Sequence, residues 1–144
     1  MIAFSILLLA AAPSSNQASK CEELSPDAAV IACYERAAAN SRDKVDKAFD
    51  RVLKSAERAD VEVRSFERQS HVTIEPRAGL VSFLRRSQAA WIEYSDKQCG
   101  LEGSTSHGGS GTGSLNAECH YRMNLRRLSD LKTALELIQR SVRN

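Results

Sequence analysis

The stretch that most restricts this chain is Leu84-Arg-Arg-Ser-Gln-Ala-Ala-Trp91-Ile-Glu-Tyr94-Ser-Asp96-Lys-Gln-Cys99, followed by a glycine-rich segment and then Cys119. It carries the only tryptophan and has a helical period, with Leu80, Phe83, Leu84, Ser87, Trp91 and Tyr94 forming one apolar stripe. Behind Cys119, Met123, Leu128, Leu131, Leu135, Ile138 and Val142 recur at steps of three, four and five. Two amphipathic helices joined as a hairpin are the expected result, with a disulfide across the base of their connection. Trp91 and Tyr94, three residues apart, are expected to enter the core.

The amino-terminal end bears on the compartment. Ile2 to Ala12 is an almost unbroken apolar run, too short to cross a bilayer as a helix but of the length of a signal-peptide core. Pro13-Ser-Ser-Asn-Gln reads as a spacer, and Ala18 is the preferred cleavage position. Residues 1–18 are therefore expected to be a signal peptide and 19–144 one folded domain. Lys20 stands where a lipid-anchored Cys21 would need a small residue, so lipidation is not expected. No stable membrane insertion is expected once the leader is removed.

Cys21, Cys33, Cys99 and Cys119 are an even set in a small exported chain, which reads as a disulfide framework. Three pairings are possible. Locality favours Cys21 with Cys33 and Cys99 with Cys119, and sequence alone does not choose among the three.

Further along, Ser25-Pro26-Asp27 has the form of a helix start, with Ser25 as cap and Pro26 at the first helical position. An alanine-rich helix to Ala39 follows. Asn40-Ser41 suggests a break, after which Ser41 or Asp43 would cap a longer helix. In that helix Val45, Phe49, Val52, Ala56, Ala59, Val63 and Phe66 recur at steps of three and four, with charged residues between them. Val72-Thr73-Ile74 is too short to stand as a strand. Pro76 and Gly79 bracket the start of the Trp91 helix. Gly100 to Ser114, mostly Gly, Ser and Thr, reads as a flexible connector that cannot bury enough apolar surface to order itself. The fold class is a small all-α bundle of three or four main helices, stapled by disulfides, with a Gly/Ser-rich loop before the last helix.

Chemistry-bearing patterns are weak. Gly108-Gly-Ser-Gly-Thr-Gly113 follows no strand and lacks the Lys-Ser/Thr of a phosphate loop. Cys99, His107, Cys119 and His120 match no zinc-finger spacing, and paired cysteines are not nucleophiles. Carboxylates alternate with Lys and Arg at salt-bridge spacing, without the apolar enclosure an acid catalyst needs. No catalytic, cofactor or metal site is expected. Arg85-Arg86 and Arg126-Arg127 are isolated basic pairs, so nucleic acid is not an expected partner.

Gln88-Ala-Ala-Trp91-Ile-Glu-Tyr94-Ser-Asp96…Cys99, then Gly108-Gly-Ser110, Cys119 and Arg127…Leu131, resembles the LprI-like family of exported bacterial proteins, named for a lysozyme inhibitor. Cys21…Cys33-Tyr34 and the helix from Val45 extend the likeness over nearly the whole chain after the leader. Ser95, Val45-Asp46 and Asn124 depart from residues common in that family. The resemblance implies an exported, periplasmic or secreted inhibitor that blocks lysozyme by protein–protein contact. Lysozyme clefts hold two carboxyl groups, and Ser106, His107 and Ser110 in the glycine-rich segment are the expected contacts. The chain's net charge of +2 gives no long-range attraction to basic lysozymes. A second expectation, of a different class, is an envelope structural or adaptor module using a helix face with Arg85, Arg86 and Glu93.

Overall fold

The computed structural model describes residues 20–74, 79–109 and 111–142. The expected leader, residues 1–18, lies outside the described residues, and so does Ser110. Three long helices make up the fold: α1 (Asp27–Ser70), α2 (Gly79–Ser104) and α3 (Gly111–Ser141). A short helical stretch at 20–22 precedes them, and no strand occurs among the described residues. The all-α class, the small disulfide-stapled bundle and both local disulfide pairings stand as expected.

Contacts set the topology. Tyr34 of α1 clusters with Ala117 of α3, and the Asn124 amide reaches Ala38 and Ser41. These pairings advance together along both chains, so α1 and α3 are parallel. Arg127 meets Gln88, His120 meets Ser95 and Cys119 meets Cys99, so α2 runs antiparallel to α3. The bundle is up-down-up. Its core is built from Val45, Val52, Ala56 and Ala59 of α1 with Leu131 and Ile138 of α3, and Trp91 and Leu84 of α2 pack against it.

The expected break at Asn40-Ser41 does not occur: α1 is one helix of 44 residues. Neither residue forces an end, because no proline or glycine is present there. Ser41 is buried instead of capping a helix. Its hydroxyl donates to the Ala38 carbonyl at 2.9 Å and accepts from Asn124 Nδ2 at 2.9 Å, while that amide also donates to Ala38 O at 3.0 Å. The polar pair is an internal lock between α1 and α3. At the start of α1, Pro26 is the residue before the first helical position, which Asp27 takes; no side chain caps the turn.

The stretch from Gly100 to Ser114 is also corrected. A Gly/Ser-rich turn does precede the last helix, but helix continues through Ser104 and resumes at Gly111. Tertiary packing overrides the low helix propensity of glycine here. Gly103 lies so close to α3 that an added Cβ would stand 3.1 Å from the Thr112 carbonyl. Helix–helix approach at that point needs the absence of a side chain.

Candidate contact surface at the disulfide pole

Both disulfides lie at the same end of the bundle, here called the disulfide pole. Cys21–Cys33 ties the segment before α1 to its first turns, and Cys99–Cys119 ties α2 to α3, with Cα atoms 5.6 and 5.3 Å apart. Cys21, Cys99 and Cys119 are fully buried, and Met123 packs on the second bridge. With all four cysteines paired, no thiol is available as a nucleophile.

The turn between α2 and α3 is closed by its own hydroxyls. Ser104, Thr105 and Ser106 donate to the carbonyls of Gly100, Glu102 and Gly103 at 2.8, 2.7 and 2.9 Å. Backbone amides of Thr105 and Ser106 donate to the Glu102 and Gly103 carbonyls as well, so hydroxyl and amide of each residue grip the same acceptor. Ser106 Oγ also accepts from Thr112 Oγ1 at 2.9 Å, which joins the two sides of the turn. His107 and Gly108 adopt left-handed backbone, φ 51° and 79°, and reverse the chain. Of the three residues expected to contact a partner, Ser106 is half-buried with its proton committed to the turn, and His107 is exposed.

Beneath the turn, Arg122 donates to Glu102 at 2.5 Å and lies 3.7 Å from Glu118. Gln98 donates to the other Glu102 oxygen at 3.0 Å. The buried Tyr34 phenol has its pKa raised, first by burial and then by the charges of Glu118 and Glu22, with Arg122 opposing. On one side of this network a groove of about 530 Å³ is lined by Glu35, Gly100, Gly103, Gly113, Asn116 and His120, among others.

The motif residues of α2 divide into two sets. Gln88, Ser95 and Cys99 are buried toward α3. The Gln88 carbonyl accepts from the buried Arg127 at 2.9 Å, and Ser87 Oγ accepts from it at 3.2 Å. Burial lowers the Arg127 pKa, with Asp130 acting in the opposite direction. Trp91 is half-buried with the Arg42 and Arg127 guanidiniums 5.4 and 5.8 Å from its ring centroid. Tyr94, expected in the core, is 57% exposed. The inward row is 88, 91, 95 and 99, fixed by the partners of Gln88, Ser95 and Cys99 on α3, and Tyr94 falls outside it. Phe83 is exposed for the same reason. Of the proposed adaptor face, Arg85, Arg86 and Glu93 are all exposed; Glu93 pairs with Lys97 at 2.6 Å and Arg86 lies 4.8 Å above the Phe83 ring. Among the described residues no group of His, Cys, Asp and Glu could hold a metal ion, and no helix is long and apolar enough to cross a membrane.

Sequence reasoning missed the distribution of charge. Residues 20–39, 93–109 and 111–122, which the fold gathers at the disulfide pole, hold eight carboxylates against four basic side chains. The opposite end, residues 50–74, 79–86 and 132–142, holds nine basic side chains against six carboxylates. A chain that is slightly basic as a whole therefore presents an acidic end around the turn. Only the up-down-up path, which sets the end of α2 beside the start of α1, reveals it.

A family model described as lysozyme inhibitor LprI matches residues 18–131. A protein of Rhizobium meliloti (strain 1021), named only as uncharacterized, is 26% identical over 136 residues, spanning 93% of this chain and 93% of its own length. No solved structure matches the chain. With the family model covering both disulfides, the turn and the buried row of α2, the chain belongs to the lysozyme inhibitor LprI family.

Proposed function

We propose that this protein is an exported inhibitor that binds lysozyme through the disulfide pole and blocks it by protein–protein contact, without catalysis or a cofactor. Family membership supplies the class of target. The observation that carries the surface is the acidic end around an exposed, tightly tied turn. Electrostatic complementarity of that kind accelerates encounter with a basic enzyme, which the net charge alone concealed. A turn already fixed by a disulfide and by its own hydroxyls loses little further entropy on entering a cleft. Export, with residues 1–18 as the leader, belongs to the same proposal and agrees with the paired cysteines.

Within the turn His107 is the contact residue. It is exposed at the reversal, and Ser106 is held back by its internal bonds. Protonated, its imidazole donates a charge-assisted bond to a cleft carboxylate. Ser110 remains part of the proposed contact. The test is cell-wall lysis by lysozymes of several classes with and without the protein from which residues 1–18 have been removed. Inhibition that weakens with added salt is expected, and His107→Ala should cost about 1–3 kcal/mol in binding. His71→Ala, at the far end of α1, should change little. Failure to inhibit any lysozyme class at micromolar excess, with recovery of an envelope partner through Arg85, Arg86 and Glu93, would replace the inhibitor reading by the adaptor one.

A further inference from the structure

At the end away from the disulfides the bundle is left open. Asp60 of α1 meets the first turn of α2, and α1 then continues ten residues further to Ser70, about 15 Å at 1.5 Å per residue. The seam that forms the core at Val52, Ala56 and Ala59 carries on in that extension as Val63 and Phe66, which are 40% and 55% exposed. Nine of the fourteen exposed large hydrophobic side chains among the described residues lie in residues 61–74, 80–83 and 137–142. A groove of about 690 Å³ there is lined by Val63, Val72 and Ile74 together with Arg64 and Arg68. The same end carries the excess of basic side chains, nine against six. Two of its six carboxylates are engaged within the fold: Asp60 accepts from the Leu80 and Val81 amides, and Glu67 from that of Ile74.

We propose that this open end docks on the surface of an anionic lipid bilayer, with Val63, Phe66 and the neighbouring apolar side chains in the headgroup boundary and the arginines against lipid phosphates. The sign of the charge selects the occupant. A second copy meeting it through the same end would bring two basic ends together, and a basic protein would be repelled, whereas an anionic lipid surface attracts Lys and Arg and accepts apolar side chains at its boundary. A projecting tip also suits a deformable interface better than a flat protein face. Docking is peripheral, since no described helix can span a bilayer. Arg64 and Arg68 beside the apolar groove give one lipid both a wall for its chain and a partner for its headgroup. The disulfide pole would then face away from the lipid, nearly the length of α1 distant. The inference does not depend on the inhibitor reading.

Flotation with vesicles tests it. The protein without residues 1–18 is used, so that the apolar leader cannot carry it to lipid; the described residues contain every helix of the bundle and both disulfides. Vesicles of phosphatidylcholine with phosphatidylglycerol are compared with vesicles of phosphatidylcholine alone. Binding to the anionic vesicles only, weakened by salt, is expected. Val63→Ser/Phe66→Ser should lower the partition coefficient about tenfold or more, given the apolar area removed from the boundary. Tyr94→Ser, on α2 outside that end, should leave it unchanged, and the helical spectrum of each variant shows that it is folded. Absence of binding to the anionic vesicles, or binding that Val63→Ser/Phe66→Ser does not reduce, overturns the proposal. So does sedimentation showing a dimer that the same double variant dissociates while lipid binding is absent, because a second copy then covers the surface.

Discussion

At the disulfide pole Cys21–Cys33 ties the leading segment to α1, and Cys99–Cys119, a hydroxyl-bonded turn and an Arg122–Glu102 pair tie α2 to α3; at the open pole one carboxylate, Asp60, links α1 to the start of α2. The first end is acidic and covalently closed, and its exposed part is a short polar turn. The second is basic and apolar and has no covalent tie among the described residues. The difference follows from how each end satisfies the ends of its helices. Where two helices are crosslinked, glycine and serine can continue the helix nearly to the turn, because packing at Gly103 replaces propensity. Where no crosslink exists, α1 outruns its partners and leaves its seam uncovered. A small helical domain can thus be covalently closed at one end and leave apolar side chains exposed at the other without any change of fold class.

The largest effect expected from this contrast is loss of the second bridge. Cys99→Ser/Cys119→Ser opens a 20-residue loop and should cost on the order of 3 kcal/mol, lowering the melting temperature by on the order of 10 °C. The variant should remain helical by circular dichroism, since the α1–α3 core from Val45 to Ile138 is untouched. Unchanged melting would mean that hydroxyl bonds and packing at Gly103 already close this pole, and the comparison would then rest on charge alone.

The periodic part of this architecture was open to sequence reasoning, and the interhelical part was not. The step of three and four from Val45 to Phe66 gives the inward face of α1 correctly, yet it does not say where α2 and α3 stop covering it, so Val63 and Phe66 read as core. Ser41 read as a cap because a serine after an asparagine carries that local signal; its real partner, Asn124, is 83 residues away. The cysteines were legible because they are few and close in sequence. Tyr94 was misplaced because Gln88, Ser95 and Cys99, polar or small, hold the buried row that an apolar count overlooks. At the candidate surface His107 was visible as the single ionisable side chain within residues 103–114, while the acidic surroundings required knowing which distant segments meet.

The second expected effect falls on the open pole. At the start of α2, Asp60 on α1 provides acceptors for the first amides, at 2.8 Å to that of Leu80 and 3.1 Å to that of Val81. Gly79, at φ 66°, makes room: an added Cβ would stand 2.8 Å from the Asp60 carboxylate. Asp60→Ala should cost about 1–2 kcal/mol, the loss of a cap together with two orphaned amides. Hydrogen exchange should quicken at Leu80 and Val81 but not at Cys99 or Cys119. Equal exchange at both ends would show that the open pole is held by something other than this carboxylate.

The smallest effect is confined to alkaline solution and belongs to Tyr34. Burial, reinforced by Glu118 and Glu22, raises the phenol above its ordinary pKa of 10.0. The folded state therefore holds this proton more tightly than the unfolded state does. The stability this group contributes is fully present below pH 10 and is lost as pH rises from the unfolded value near 10 through the raised folded value, where the phenolate forms beside two carboxylates. Measured against the same protein at lower pH, stability is unaffected by this group below pH 10 and declines above it, because unfolding releases the proton that the fold retains. Tyr34→Phe should remove that component of the decline while leaving the others, so the two stability curves converge as pH rises above 10. Titration of the phenol by its ultraviolet absorbance gives the independent check. A Tyr34 that ionises at the ordinary phenol value of 10.0 would show that the disulfide pole is wetter than its packing implies, and would narrow the contrast between the two ends.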